Sequence, residues 1–400
     1  MKRLGLYIHV PFCASKCPYC DFYSLKLNPG GAQNKKLPED YTNALIKQIK
    51  EYNAPAAGTT VDSIYIGGGT PPVIGIELIL KIIKSINGSF SLDKRLEFTI
   101  EVNPASIDFK GLKKLKKAGV NRLSIGLQSA HDRELRVLSR RYVYADFIEC
   151  YEAARAAGFE SISFDLMYGI PTQSVKSFYE TLKRTVSLKP EHISVYGLKL
   201  EQGTPFHSNI EKIRAYLPDE ETERGMYFTC CDFLEKCGFN HYEISNFAKP
   251  GYECRHNLKY WTCGEYLGLG TGAHSYFGGC RFSFKKNIKE YIRNFNYDET
   301  KLKKIGVFDF EKYNLFDEYI EIAQNERIGE YIMLNFRLKS GINKNDFARL
   351  FSADFDDLYY EKTEPFIAGG HIIKTLGGYA FSREGMFVSN YILSRIIDFE

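Results

Sequence analysis

The chain has 400 residues, of which 44% are hydrophobic and 26% charged, and a formal net charge of +4. That length allows two or three domains with an ample core, and so small a charge does not point to nucleic acid. No apolar run approaches the ~18 residues of a membrane span. The short run Leu4–Val10 is broken as a secretory signal by His9 and Pro11 and lacks a small-residue cleavage site, so a cytoplasmic setting with reduced cysteines is expected.

Strand and helix patterns alternate along the first half. Leu4–Val10 reads as a strand, Glu39–Tyr52 as a helix after Pro38, Val61–Ile66 as a strand and Glu77–Ile86 as a helix. Leu96–Val102, Arg122–Leu127, Ser161–Leu166 and His192–Tyr196 read as further strands. Lys110–Ala118, Ala145–Ala157 and Ser174–Leu188 read as the helices between them. Repeated βα units of this length imply a parallel sheet with helical crossovers. About six units fit, short of the eight that close a full barrel. The expected fold is therefore α/β, a partial (β/α)6 barrel over residues 1–217. Beyond Pro218 the alternation fades. Residues 218–310 read as an extension and a connector, the latter over Phe284–Lys312, and 311–400 as an α+β, mostly helical C-terminal domain. Residues 330–400 carry eight Lys/Arg against ten Asp/Glu, without the basic face of a winged-helix DNA reader.

The most specific local feature is Cys13-Ala-Ser-Lys-Cys17-Pro-Tyr-Cys20. Positions 13, 17 and 20 would share one face of a helix, but Pro18 argues against a helix and for a loop. Structural zinc wants four ligands in paired units, and no second pair lies nearby. A thioredoxin-type pair leaves the third cysteine without a role. Iron–sulfur clusters are normally held by four thiolates; three would leave one iron free for a small molecule. The C-x3-C-x2-C spacing closely resembles the signature of the radical S-adenosylmethionine (SAM) superfamily. That resemblance implies a [4Fe–4S] cluster on Cys13, Cys17 and Cys20, with SAM chelating the free iron.

Polar and glycine-rich signals end successive strands: Gly67-Gly-Gly-Thr-Pro71, Glu101-Val-Asn-Pro104, Gln128-Ser129 and Asp165. The C-terminal rim of parallel strands is where α/β barrels carry their sites. A single carboxylate there is most simply exposed or capping. Two carboxylates plus Gln128 suit a ligand with an amine and ribose hydroxyls. Arg140 or its neighbour Arg141 could pair with a ligand carboxylate. Glycines let the backbone approach a ligand closely.

Taken in order, Tyr7-Ile-His-Val-Pro-Phe-Cys13, the glycine run, Glu101–Pro104, Leu123–Ser129, Asp165–Pro171 and Tyr242–Ser245 resemble the oxygen-independent coproporphyrinogen III oxidase family, HemN and HemW together, over nearly the whole chain. The resemblance implies SAM contacts at Tyr7, Tyr19, Gly68, Gly69, Thr70, Glu101, Gln128, Arg140 and Asp165. Two departures from the oxidase point to its haem-chaperone branch, HemW. Phe22 stands where the oxidase has another cysteine, and Cys13 lies near the start of the sequence, without the oxidase's long N-terminal arm. The stretch His256-Asn-Leu-Lys-Tyr260-Trp261 matches the H-N-x-x-Y-W motif of that branch. The match implies haem contacts at His256, Asn257, Tyr260 and Trp261; His274, after a glycine-rich turn, is the alternative imidazole, though a lone histidine there is more often structural. Read on its own residues, the stretch is a structural loop with a hydrogen-bonded histidine. The function so implied is haem binding and transfer to an acceptor such as a respiratory haem protein. The alternative is radical decarboxylation of coproporphyrinogen propionates. No catalytic residue is assigned, and nothing in the sequence indicates membrane contact.

Overall fold

A computed structural model describes residues 2–27, 32–54, 56–295 and 316–397. Six strands run parallel and lie side by side in chain order: β1 (Lys2–Val10), β2 (Thr59–Gly68), β3 (Leu92–Val102), β4 (Arg122–Gln128), β5 (Ser161–Tyr168) and β6 (His192–Gly197). They are apolar because both faces are covered. Leu4, Leu6, Ile8 and Val10 of β1 and Ile64 and Ile66 of β2 are all fully buried.

The sheet does not close. Beyond β6 it continues through antiparallel β7 (Asn240–Glu243) and β8 (Asn246–Ala248). Beyond β1 it continues through β9 (Tyr266–Leu269), then antiparallel β10 (His274–Phe277), β11 (Cys280–Phe284) and β12 (Phe316–Glu321). β9 pairs parallel with β1, making a seventh parallel strand that the sequence pattern missed. Its glycines disguise it. A Cβ on Gly268 would sit 2.0 Å from the His274 carbonyl oxygen, and Gly270 has φ +108 against the His9 backbone. Tight backbone contact, not strand propensity, selected those residues.

Helices cover the sheet as their periodicity requires. In α1 (Ala32–Glu51) the helix runs through Pro38 instead of starting after it. Full burial of Tyr41, Leu45 and Ile49 outweighs the lost backbone hydrogen bond. In α2 (Ile76–Ser89) Ile79, Ile82, Ile83 and Ile86 form the buried stripe. Asp108 caps α3 (Phe109–Lys117) by accepting from Gly111 N at 2.7 Å, and lysines fill its last turn. Two more helices, α4 (Tyr144–Ala156) and α5 (Val175–Ser187), complete the crossovers, and α6 (Glu220–Lys236) packs on α5.

The short helix α7 (Arg255–Trp261) carries the H-N-x-x-Y-W stretch. Its N-terminus docks on the buried Glu97 carboxylate of β3. Arg255 N and His256 N each donate to it at 2.9 Å, and the Cys254 thiol lies 3.6 Å away. A carboxylate there satisfies first-turn N–H groups and the helix dipole together.

C-terminal helices, beginning with Gln324–Asn335, pack around a small sheet of Ile342–Asn343, Gly378–Phe381 and Ile372–Lys374. Phe336, Phe347, Phe355 and Phe381 form its core. This unit seats on α6, where Arg383 pairs with Asp232 and, at 2.8 Å, with Glu235. Part of the expected connector, and the expected boundary at 310–311, lie outside the described residues. Its first part is ordered structure, including the helix Ile288–Asn294. Among the described residues no helix is long and apolar enough to cross a membrane.

Glu97→Ala leaves two buried N–H donors and the α7 dipole uncompensated. The variant is expected to lose about 2–4 kcal/mol, read as a lower urea midpoint for the intact chain.

Candidate functional site

The cysteine loop leaves the end of β1 and is closed by a two-residue parallel pairing of Phe12–Cys13 with Leu25–Lys26. Leu25 N donates to Pro11 O at 2.8 Å and Leu27 N to Cys13 O at 2.9 Å. The glycine run at the end of β2 locks this entrance. Gly69 N donates to Val10 O at 3.0 Å and Thr70 N to Phe12 O at 2.7 Å. A Cβ on Gly69 would lie 2.4 Å from the Phe12 oxygen. The close approach that these glycines permit here is therefore to the cysteine loop's own backbone.

From the loop a polar chain crosses the rim. Thr70 Oγ1 lies 3.9 Å from Cys13 Sγ and accepts from Asn103 Nδ2 at 2.8 Å. Asn103 Oδ1 in turn accepts from Arg140 at 3.5 Å, and Arg140 also donates to the Tyr19 hydroxyl. The two arginines are thereby separated. Arg140 faces the site and has a buried Nε without a partner, whereas Arg141 is exposed and donates to Ala14 O at 3.3 Å.

These residues wall one cavity of about 360 Å3. It is lined by Cys13, Cys17, Cys20, Tyr19, Gly68, Gly69, Thr70, Glu101, Gln128, Arg140 and Asp165. Tyr7 is the expected residue that does not line it; its hydroxyl instead bonds His9 Nδ1 at 3.0 Å. Residues not singled out beforehand complete the wall: Tyr65, Asn103, Ser124 and Tyr196. Their only signal was position, at or near the ends of apolar strands.

Glu101 accepts from the Tyr65 hydroxyl at 2.9 Å and from Gly68 N at 3.2 Å, and burial pushes its carboxyl up to about 7. Asp165, also raised by burial, accepts from Ser124 Oγ at 3.0 Å. Gln128 is held at φ +67, a strained backbone for a residue with a Cβ. Burial raises the Cys13 thiol and pushes Cys20 up to about 11. All ten cysteines are free.

Among the described residues no three His, Cys, Asp or Glu side chains converge on a single metal ion. In a cubane cluster each thiolate takes a different iron, and Cys13, Cys17 and Cys20 all line one cavity, which fits such a cluster. Soft thiolate donors suit iron–sulfur chemistry. The unpartnered Arg140 Nε and the Glu101 carboxyl suit the carboxylate and ammonium groups of an amino-acid moiety.

A second cavity of about 600 Å3 adjoins the first, and Tyr196 lines both. Asn257, Tyr260 and Trp261 of α7 form part of its wall, as do Tyr168, Tyr227, Met386 and Phe387. The Arg337 guanidinium lies 5.9 Å from the Trp261 ring centre. His256 does not line this cavity. Its Nδ1 bonds Ser63 Oγ at 3.0 Å and its Nε2 bonds the Tyr260 hydroxyl at 2.8 Å. Its ring stacks on Tyr65 with centres 5.5 Å apart, and burial pushes its pKa down to about 3. With both nitrogens engaged, this imidazole docks α7 on the sheet. His274 is exposed on β10 and lines neither cavity.

Residues 7–185 match the radical SAM superfamily and residues 322–388 the HemN C-terminal domain. The solved structure of coproporphyrinogen III oxidase (HemN) from Escherichia coli superposes with a TM-score of 0.83 at 23% identity, over 99% of this chain and 90% of that one. At that identity the likeness shows the fold. Closer in sequence is a Bacillus subtilis protein, heme chaperone HemW, 34% identical over 98% of each chain. The chain belongs to the HemW family. Heme chaperone HemW of Escherichia coli is 30% identical, also over 98% of each chain. The radical SAM superfamily implies a [4Fe–4S] cluster and SAM. In this HemW-family chain Phe22, the residue that departs from the oxidase, is 62% exposed and lines the smaller cavity.

Gly69→Ala would force the Phe12 backbone and the start of the cysteine loop to move. A loss of about 1–3 kcal/mol is expected, measured by urea unfolding, with faster proteolysis at the cysteine loop.

Proposed function

We propose that the protein is a haem chaperone that binds haem in the larger cavity and passes it to an acceptor haem protein. In this reading a [4Fe–4S] cluster is held by Cys13, Cys17 and Cys20, and SAM lies in the smaller cavity. The observation that carries the reading is the meeting of the two cavities at Tyr196. The larger one has the volume of a small-molecule site. Its wall includes three residues of the H-N-x-x-Y-W helix. Tyr260 and Trp261 offer flat apolar faces with polar edges, which suit a porphyrin plane. The naming of full-length relatives as heme chaperones supports the same assignment.

When bound, the cluster supplies a reductant and an open iron site for SAM. The chain's own residues do the holding. Glu101 receives the ammonium of SAM, and Arg140 its carboxylate through the unpartnered Nε. Gln128 and Asp165 face the ribose. Thr70 and Asn103 tie Cys13 to Arg140, so the thiol and the anion-binding guanidinium keep a common position.

Anaerobic reconstitution followed by haem titration, with and without SAM, tests the reading. Haem is expected to bind and then move to an apo-haemoprotein. Absence of both binding and transfer rejects the chaperone assignment. Replacing any one of Cys13, Cys17 and Cys20 with Ala is expected to remove the iron and its visible absorbance; full iron retention would refute the ligand set. Trp261→Ala removes an aromatic wall and is expected to weaken haem binding by about 1.5–3 kcal/mol, roughly ten- to a hundredfold. Fluorescence quenching or absorbance titration reads that change.

A further inference from the structure

Among the described residues lining the larger cavity, four carry a buried polar atom without a partner: Tyr227, Glu243, Asn246 and Arg337. Glu243 ends β7 and is fully buried, and Asn246 opens β8 and is 3% exposed. The two residues are opposite each other in the antiparallel pair. Glu243 Oε2 accepts from Ser245 N at 3.3 Å, and the Asn246 side chain bonds the same carboxyl. Glu243 Oε1, Asn246 Oδ1 and Arg337 Nε have no hydrogen-bond partner, and all three side chains line the cavity. The main chain brings Arg337 there. Its carbonyl accepts from Ile244 N at 2.9 Å, and Leu338 bridges to Glu243. Arg337 spends an outer N–H on Asn390 Oδ1 at 3.1 Å and leaves Nε turned inward. Among the described residues Glu243 forms no ion pair with it.

A buried polar atom without a partner is costly; a ligand carboxylate satisfies Arg337 Nε and, with Glu243 protonated, Oε1, whereas Asn246 Oδ1 is an acceptor that it does not serve. We propose that Glu243 and Arg337 form a carboxylate-binding subsite, seated on Asn246, that holds a propionate of haem. This rests on the haem reading above and adds the residues that orient the cargo. Burial raises the Glu243 carboxyl to about 7. In its protonated form Oε1 donates, and with Arg337 Nε it presents two N–H and O–H donors to one ligand carboxylate. The groups facing Glu243 favour an anion. The titratable groups that line the cavity with it are Arg337, Lys199 after β6, the neutral Tyr168, Tyr196, Tyr227 and Tyr260, and Glu223 on α6. With Glu243 protonated the cations exceed the anions by one; its ionisation cancels that excess.

The consequence is a release that follows pH. A bound carboxylate holds the proton on Glu243 more tightly than the free cavity does. Binding above the free pKa therefore takes up a proton, and affinity falls as pH rises.

The test is haem titration of the full chain, from about pH 6 to about pH 9, against haem dimethyl ester, whose propionates are blocked. Wild-type affinity for haem is expected to fall by up to about tenfold per pH unit above about 7. The ester should bind more weakly and without that slope. Glu243→Gln, near-isosteric and always neutral, should bind haem tightly with a flat profile. Arg337→Met should lose about tenfold at every pH. A wild-type slope retained in Glu243→Gln, or an ester bound as tightly as haem, overturns the subsite, and the ester arm needs no variant to fold. Wild-type protein that binds haem with no slope overturns the subsite alone. Wild-type protein that binds no haem at any pH overturns the chaperone reading itself.

Discussion

The site depends on one backbone contact, the packing of Phe12 against Gly69. Two main-chain hydrogen bonds across it join the exit of β1 to the end of β2. Only a residue without a Cβ allows the two chains to approach so closely. The contact sets where the cysteine loop begins, and Thr70 then reaches Cys13 from the same turn. Asn103 and Arg140 extend the connection across β3 and β4. The cavity is thus built from strand ends held in register by the sheet, with the cysteines on a loop pinned at both ends. Rigid strands supply the precision, and the loop supplies the three cysteines.

Glu97 does for the second cavity what Gly69 does for the first. Its buried carboxylate gathers the start of α7 and so fixes the direction in which that helix presents its side chains. His256 is then directed into the sheet, against Ser63 and Tyr65, while Asn257, Tyr260 and Trp261 face the cavity. A motif of histidine and aromatics can be read as a metal ligand with its stacking partners. Here the histidine anchors the helix and the aromatics meet the cavity. The energetic reason is plain: a buried imidazole with both nitrogens bonded is stable, whereas turning it outward would strand Ser63 and Tyr260.

Two buried carboxyls, Glu101 and Glu243, are pushed to about the same pKa by the same cause, removal from water. Their surroundings give them different uses. Glu101 already accepts from a phenol and a main-chain N–H, which prepares an anionic form for a cationic partner. Glu243 has an oxygen with no donor, and burial favours its neutral form against the opposing pull of the Arg337 guanidinium, which suits it to an anionic partner. Tyr196 lines both cavities, and beside burial the carboxyls of Asp165, Glu243 and Glu101 all raise its phenol.

Much of the fold and of the smaller site could be read from the sequence because both are local. Six strands announced themselves by short apolar runs followed by Gly, Pro or polar residues. Cys13, Cys17 and Cys20 lie within one short stretch of sequence, and a parallel sheet brings Glu101, Gln128 and Asp165 to one edge. Other features depend on partners far along the chain. The orientation of His256 is set by Ser63, 193 residues away, and by Glu97, 159 residues from it. The choice of Arg140 over Arg141 depends on which of two adjacent side chains meets Asn103 and Tyr19. The seventh parallel strand was hidden because its glycines answer to backbone crowding. The sequence by itself determined that three thiols share one short loop and on which rim that loop lies. Only the tertiary structure decided which side chains turn inward, where the two cavities meet, and that Glu243 and Arg337 face the same space. Those are outcomes of packing between distant segments, which no local pattern encodes.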